Sequence, residues 1–260
     1  MPKETLIQPI LAPMPTEKAT ALVLRSIEYR ETSCVVTFWT REFGKVRALA
    51  KGGRRLRSRF ETALDVWNCC DIVLIRKISA GLDLLTEAHL RERFAGLHQS
   101  LQAYYAACLI AEILDACAQE NDPHPSWFDA TLRTLRRLHE SEVLNPLLHW
   151  ELMALQEMGL QPMLEHCVRC RKPLEESPTS EPIAWNAQAG GVLCPHCGRT
   201  TASRRTIPAE LWHSWRQAIR HSASAIPADI SRQLLDLLHE YWSHRLERPL
   251  RLAKYLSTAH

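Results

Sequence analysis

Two pairs of cysteines, Cys167-x2-Cys170 and Cys194-x2-Cys197, constrain this chain more than any other feature. They lie in a stretch, residues 166–203, that is poor in long apolar runs and rich in Pro, Gly, Glu and Ser. Such a stretch cannot fold on apolar burial alone and needs a cross-link. Each CxxC turn lets two thiolates reach one ion, and two turns supply four sulfurs in a tetrahedron, the donor set of structural zinc. The 23 residues between the pairs slightly exceed the usual spacing and fit a ribbon hairpin. With four protein ligands, one Zn2+ has no open position for a substrate, so the expected site is structural. Free thiols or a redox pair form the competing reading. His166 and His196 adjoin the ligands and are expected to be solvated neighbours. The chain has nine cysteines, an odd number, so a disulfide framework is not expected. Cys34, Cys69, Cys70, Cys108 and Cys117 fall among apolar residues and read as buried, inert thiols.

The patterns on either side differ in kind. Residues 1–19 read as a flexible, Pro-rich leader without the apolar core of a secretory signal. Short apolar runs follow at 21–24, 34–39 and 45–50, then 65–77 and 82–87. Phe43-Gly44-Lys45 makes a hairpin turn between the second and third. Five short strands suit a small β-barrel, of OB-like or SH3-like type. From Arg91 to Gln119 apolar residues recur every three or four positions, the mark of an amphipathic helix. Further helices are expected at 127–139 (capped by Ser126), 145–158 (capped by Asn145), 208–220 and 227–246. The expected fold class is α+β and multidomain: an N-terminal OB-fold-like barrel over 20–89 and a C-terminal helical domain over 90–165 and 204–260. The zinc ribbon-like module, 166–203, is inserted into that helical domain.

Net charge is only +3, but its distribution is uneven. From Arg41 to Arg59 eight cations, Arg41, Lys45, Arg47, Lys51, Arg54, Arg55, Arg57 and Arg59, face one acid, Glu42. The rest of the chain holds 24 bases and 28 acids. Lys45 and Arg47 are two apart and share one strand face, and a Gly-containing basic loop follows. Cations so arranged make a groove for a phosphate backbone, with sequence-tolerant, salt-sensitive binding. A solvated charged loop is the bland alternative. Phe38 is expected in the core, and Trp39 either there or as a stacking platform.

Enzymatic motifs are weak. His149-Trp150-Glu151 with Cys194-x2-Cys197 falls short of the zinc deaminase pattern, because Leu193 stands where Pro is required. No P-loop is present, and Trp212, Trp215 and Trp242 read as core. No run approaches the roughly 18–20 apolar residues of a membrane span, so a cytoplasmic location is expected and a membrane partner is not.

The run from Thr40 to Arg54, Thr-Arg-Glu-Phe-Gly-Lys-Val-Arg-Ala-Leu-Ala-Lys-Gly-Gly-Arg, continued by Ser58-Arg59-Phe60, resembles the N-terminal signature of the bacterial RecO family of recombination mediators. Ala21 to Arg25 and Tyr29 to Ser33 resemble its first strand and turn, and the two CxxC pairs its zinc-binding insert. The resemblance covers roughly residues 20 to 250. It implies an OB-fold, a helical domain and an inserted zinc module. It also implies a nucleoid-associated, non-enzymatic protein that binds single- and double-stranded DNA and anneals complementary strands. Such proteins act with RecR to load RecA onto DNA coated by single-strand binding protein, whose acidic C-terminal tail they dock. Carried over by position, Lys45, Arg47, Lys51, Arg54, Arg55, Arg57 and Arg59 are the expected DNA contacts, and Cys167, Cys170, Cys194 and Cys197 the metal ligands. The leader and Gly53, where many relatives carry Ala, depart from the pattern. Glu175, Glu176 and Glu181 make the insert's loop acidic, so the insert is not expected to touch DNA. A zinc-stabilised interaction scaffold without DNA binding is the competing class.

Overall fold

Alternation of inward apolar and outward polar side chains organises the first third of the chain into β1 (Thr16–Tyr29), β2 (Ser33–Thr40), β3 (Gly44–Ala50), β4 (Asn68–Ile75) and β5 (Asp83–Arg93). The structure is a computed structural model that describes residues 16–53, 58, 60, 62–77, 81–138, 143–174, 181–202, 204–220 and 226–257. The strands close a barrel in the order β1-β2-β3-β5-β4. β3 and β5 run parallel, and the other pairs are antiparallel. This is the OB-like alternative of the two barrels expected. Closure depends on the length of β1: its first half pairs with β4 and its second half with β2. A bulge between Val23 and Arg25 bends the strand between these partners. β1 begins at Thr16, inside the stretch read as a leader, and β5 runs on to Arg93, past the Glu87 expected from sequence.

The barrel core gathers Ala21, Val23, Val36, Phe38, Val46, Ala48, Ile72, Leu74 and Leu85, with Phe60 and Leu64 from the β3–β4 connection. Cys70 lies in it, its thiol donating to the Ala63 carbonyl at 3.0 Å. Burial, reinforced by neighbouring Cys69, Asp71 and Asp65, pushes that thiol up to about 12, so it stays protonated and unreactive. A Cβ on Gly53 would come within 2.8 Å of Cys34 Sγ, so glycine there matches the sulfur at position 34.

The second compact unit, Phe94–His260, contains α1 (Leu101–Cys117), α2 (Pro125–Arg137) and α3 (Leu144–Glu157), then β6 (Ile183–Asn186), β7 (Gly191–Leu193), α4 (Pro195–Arg199) and β8 (Arg205–Ile207). It ends with α5 (Ala209–Arg220), α6 (Ala228–Arg245) and α7 (Lys254–Ser257). The first helix starts ten residues later than its periodicity predicts, because Arg91–Arg93 complete β5 and a 3-10 turn, Ala95–His98, precedes Ser100. Ser100 caps α1 by accepting from the Ala103 amide at 3.3 Å. Two expected caps fall elsewhere. α2 begins at Pro125, with its preset φ, rather than after Ser126. Asn145 lies inside α3 and donates instead to the Ile226 carbonyl at 2.8 Å. Trp127, Trp150, Trp212, Trp215 and Trp242 are fully buried or nearly so, as the core reading of the last three requires.

The cysteine-bearing segment is knit into this helical unit. β6 to β8 form a three-stranded sheet in the order β7-β6-β8. Trp185 of β6 is fully buried, with ring centroids 4.8 Å from Trp215 and 5.8 Å from Tyr241. Trp212 Nε1 donates to the Leu164 carbonyl at 2.9 Å, and Tyr241 Oη to that of Leu160 at 2.8 Å. Gly191 cannot be replaced without a shift, since a Cβ would lie 2.4 Å from the Met163 carbonyl oxygen.

Candidate metal centre and candidate nucleic-acid interface

Each cysteine pair sits on a turn closed by its own backbone. In the first, the Arg171 amide donates to the Cys167 carbonyl at 2.9 Å, with Arg171 in the left-handed region at φ 63°. In the second, Pro195 opens α4 and the Gly198 amide donates to the Cys194 carbonyl at 2.8 Å. These turns bring the sulfurs of Cys167, Cys170, Cys194 and Cys197 within 4.8 Å of one another. Cys170 Sγ and Cys194 Sγ are 3.7 Å apart. A tetrahedron with metal–sulfur bonds of about 2.3 Å has edges of about 3.8 Å, so the four sulfurs fit one ion. His166 and His196 are exposed and outside the cluster.

Electrostatics point the same way. Burial acts to raise the Cys167 thiol, but backbone N–H groups of Cys170, Cys194 and Arg169 outweigh it and hold the thiol down at about 6. Burial and the neighbouring sulfurs push Cys197 up to about 12. Four thiolates this close cannot all be charged alone; a divalent cation supplies the missing charge and expels the remaining protons.

On the barrel, the basic face is built by cross-strand register. Arg25 of β1 pairs with Thr37 of β2, which pairs with Arg47 of β3, so the three form one outward row. Lys45 lies opposite Trp39, one row away. On the other side Ile27, Val35 and Leu49 form an apolar row. Beyond it a concave surface is lined by Tyr29, Arg30, Ser33, Leu49 and Lys51. Tyr29 is 41% exposed, with the Arg30 guanidinium 5.3 Å from its ring centroid.

Of the sequence-predicted contacts, the structure thus places Lys45, Arg47 and Lys51 on or beside one face. Arg54, Arg55, Arg57 and Arg59 lie outside the described residues. Trp39 is fully buried and cannot serve as a stacking platform; Phe38 and Phe60 belong to the barrel core. The aromatic beside the cations is Tyr29, which sequence reasoning missed together with Arg25. Their alternate spacing is visible in Arg25-x-Ile27-x-Tyr29, but that they share the face of Arg47 depends on the bulge after Val23 and on pairing with β2.

In the helical unit, α2, α3 and α5 enclose a cavity of about 350 Å³ lined by Arg133, Arg137, His149, Trp150, Met153 and Ile219. Its floor is apolar and its rim cationic. Glu151, one residue away, is fully buried and pairs with His239 at 3.0 Å, so it belongs to the packing of α3 against α6. Among the described residues no helix is long and apolar enough to cross a membrane.

Comparison with known proteins divides the chain where the fold does. The family model described as Recombination protein O N terminal matches residues 14–94, and that described as Recombination protein O C terminal matches residues 98–253. A protein of Desulfatibacillum aliphaticivorans named DNA repair protein RecO is 32% identical over 260 residues, covering 95% of this chain and all (100%) of the relative. A protein of the same name from Anaeromyxobacter dehalogenans is 30% identical over 247 residues, 92% of this chain and 95% of the relative. A third, from Rhodopirellula baltica, is 39% identical over 178 residues, 68% of this chain but 65% of that relative's length. The barrel falls to one half of the family pattern and the helices with their cysteine cluster to the other, and the chain belongs to the RecO family of recombination proteins.

Proposed function

We propose that the protein is a DNA-binding recombination mediator in DNA repair that works without catalysing a chemical step. The observation that carries this is the outward row Arg25–Thr37–Arg47, flanked by Lys45, Lys51 and exposed Tyr29, on strands β1 to β3 of an OB-like barrel. That surface of such barrels suits extended nucleic acid: cations follow the phosphates and an aromatic face takes a base. Arg54, Arg55, Arg57 and Arg59 extend the same basic segment in sequence. By neutralising single- and double-stranded DNA the face raises the local concentration of strands, and base pairing supplies the energy of annealing. The partners are RecR, RecA through RecR, and the acidic C-terminal tail of single-strand binding protein, at the nucleoid. The cavity between α2 and α3 suits that tail, since Arg133 and Arg137 line it and meet acidic side chains. The ion held by the four cysteines is a structural Zn2+.

The test is annealing of two complementary, dye-labelled oligonucleotides by the purified protein, without nucleotide, over a salt series. Acceleration that fades steeply with salt is expected, because released counterions set the affinity. No binding even at low salt overturns the reading and leaves a zinc-stabilised interaction scaffold.

A further inference from the structure

The turns around the cysteine cluster carry exposed arginines from separate points of the chain. Arg169 lies in the first turn, Arg199 and Arg204 follow the second, and all three are exposed. A hydrogen-bond network draws them together. Arg169 Nη1 donates to Thr200 Oγ1 at 2.9 Å. Thr200 Oγ1 and Thr201 Oγ1 donate to the Cys197 carbonyl at 3.1 and 2.9 Å. Arg204 Nη1 donates to the Thr201 carbonyl at 3.1 Å. Guanidinium groups from separate points of the chain thus converge on Thr200-Thr201 at the end of α4, with Arg199 adjoining. Arg169 and Arg204 each commit one N–H to the framework, out of the five a guanidinium carries.

These guanidinium groups remain available to a ligand. Three neighbouring arginines meet acids: Arg216 and Arg220 share Glu165, and Arg205 reaches Glu240 at 3.8 Å. Among the described residues no carboxylate pairs with Arg169, Arg199 or Arg204. Over residues 166–204 the five cations Arg169, Arg171, Lys172, Arg199 and Arg204 are balanced by Glu175, Glu176 and Glu181 together with the roughly −2 of four thiolates around a divalent ion, so the positive charge is local to the turns where Arg169 and Arg204 converge.

We propose that Arg169, Arg199 and Arg204 form a second contact for a nucleic-acid phosphate backbone, on the metal module. A planar fork suits phosphate oxygens, and the residues between the arginines offer hydroxyls, not an apolar floor. An acidic peptide is met instead by Arg133 and Arg137 at the cavity of α2 and α3. The acidic Glu175, Glu176 and Glu181 led to the opposite expectation; Glu181 precedes β6, at the end of that strand away from Arg204, and Glu175 and Glu176 lie outside the described residues. Annealing needs two strands held at once, and this contact supplies a place for the second. The inference rests on the DNA-binding reading above.

The experiment compares the wild-type full chain, R169Q/R199Q/R204Q and the barrel variant R47E/K51E. It reads metal content, circular dichroism, oligonucleotide binding across a salt series, and annealing. The triple variant is expected to keep its metal while the slope of log affinity against log salt falls by about 2, at roughly 0.7 per single-strand phosphate contact. Annealing falls more than binding of the first strand. Should the triple variant lose metal, R199Q/R204Q keeps the Arg169–Thr200 bond and is expected to lower the slope by about 1.4. An unchanged slope and unchanged annealing in a metal-loaded variant overturn the inference and leave the barrel reading standing. A wild type that binds no DNA overturns both. Loss of polyglutamate binding with DNA binding intact assigns the cluster to an acidic peptide and overturns the inference.

Discussion

The barrel and the cysteine segment of the same chain reach an ordered fold by opposite routes. The barrel closes its hydrogen-bond ladder through β1, which serves two partners, and fills the interior with side chains from all five strands. Its order comes from many contacts between residues distant in sequence. The cysteine segment has strands of three or four residues and a small cluster around Cys167, Leu193, Cys194 and Cys197. Its order comes from four sulfurs and from Trp185 seated on α5 and α6. Each region is vulnerable in its own way. The barrel is expected to lose stability in proportion to the apolar volume removed, whereas the cysteine segment is expected to depend on an ion held by its four sulfurs.

Removing the metal is the largest test of that contrast. Chelation, or Cys167→Ser with Cys194→Ser, is expected to abolish the ordered segment, since such ions contribute on the order of 10–16 kcal/mol to zinc-dependent folds. Fluorescence of buried Trp185 and Trp215 reports the loss. The barrel is expected to persist, read as an unfolding transition of its own; collapse of both regions would break the comparison. Cobalt substitution with strong thiolate charge-transfer bands checks the four-sulfur set. Next comes Phe38→Ala in the barrel core, expected to cost about 3–5 kcal/mol in chemical unfolding while metal content stays unchanged.

The helical unit supplies a third kind of element, a buried ion pair. Burial works against a charge on His239, but the carboxylate of Glu151, helped by Asp236, more than offsets it and raises the imidazole above its ordinary 6.5. A raised histidine contributes stability that is complete below 6.5 and is lost as pH rises through the folded-state value. Thermal unfolding followed from about pH 6 upward should show that decline. Glu151→Gln is expected to cost about 3 kcal/mol, because it strands a buried imidazole, and to remove the decline. The smallest expected effect is on binding: R47E/K51E should weaken oligonucleotide affinity at low salt by about tenfold to a hundredfold without moving the melting temperature. An equal loss from substituting the buried Trp39 alone would contradict the assignment of the face.

Much of the candidate site could be read before the fold was known. The ligand set was legible because each CxxC pair encodes its own turn, so only the meeting of two local motifs was left to the fold. Lys45 and Arg47 were legible because side chains two apart on a strand share a face. Arg25 and Tyr29 were not, because the bulge after Val23 and the continuation of β1 are set by pairing with β2. The start of α1 was misplaced because residues 91–93 read as helix by periodicity but complete the ladder with β4.

The two cysteine turns, the succession of strands and helices and the concentration of charge were fixed locally, since they depend on the chemistry of near neighbours. Only the tertiary structure decided that Trp39 is buried, that Glu151 meets His239, and that Arg169 and Arg204 converge on Thr200 and Thr201. Those outcomes depend on which faces are brought together by closing long loops. No local pattern records that choice, because it is made by the packing of the whole unit.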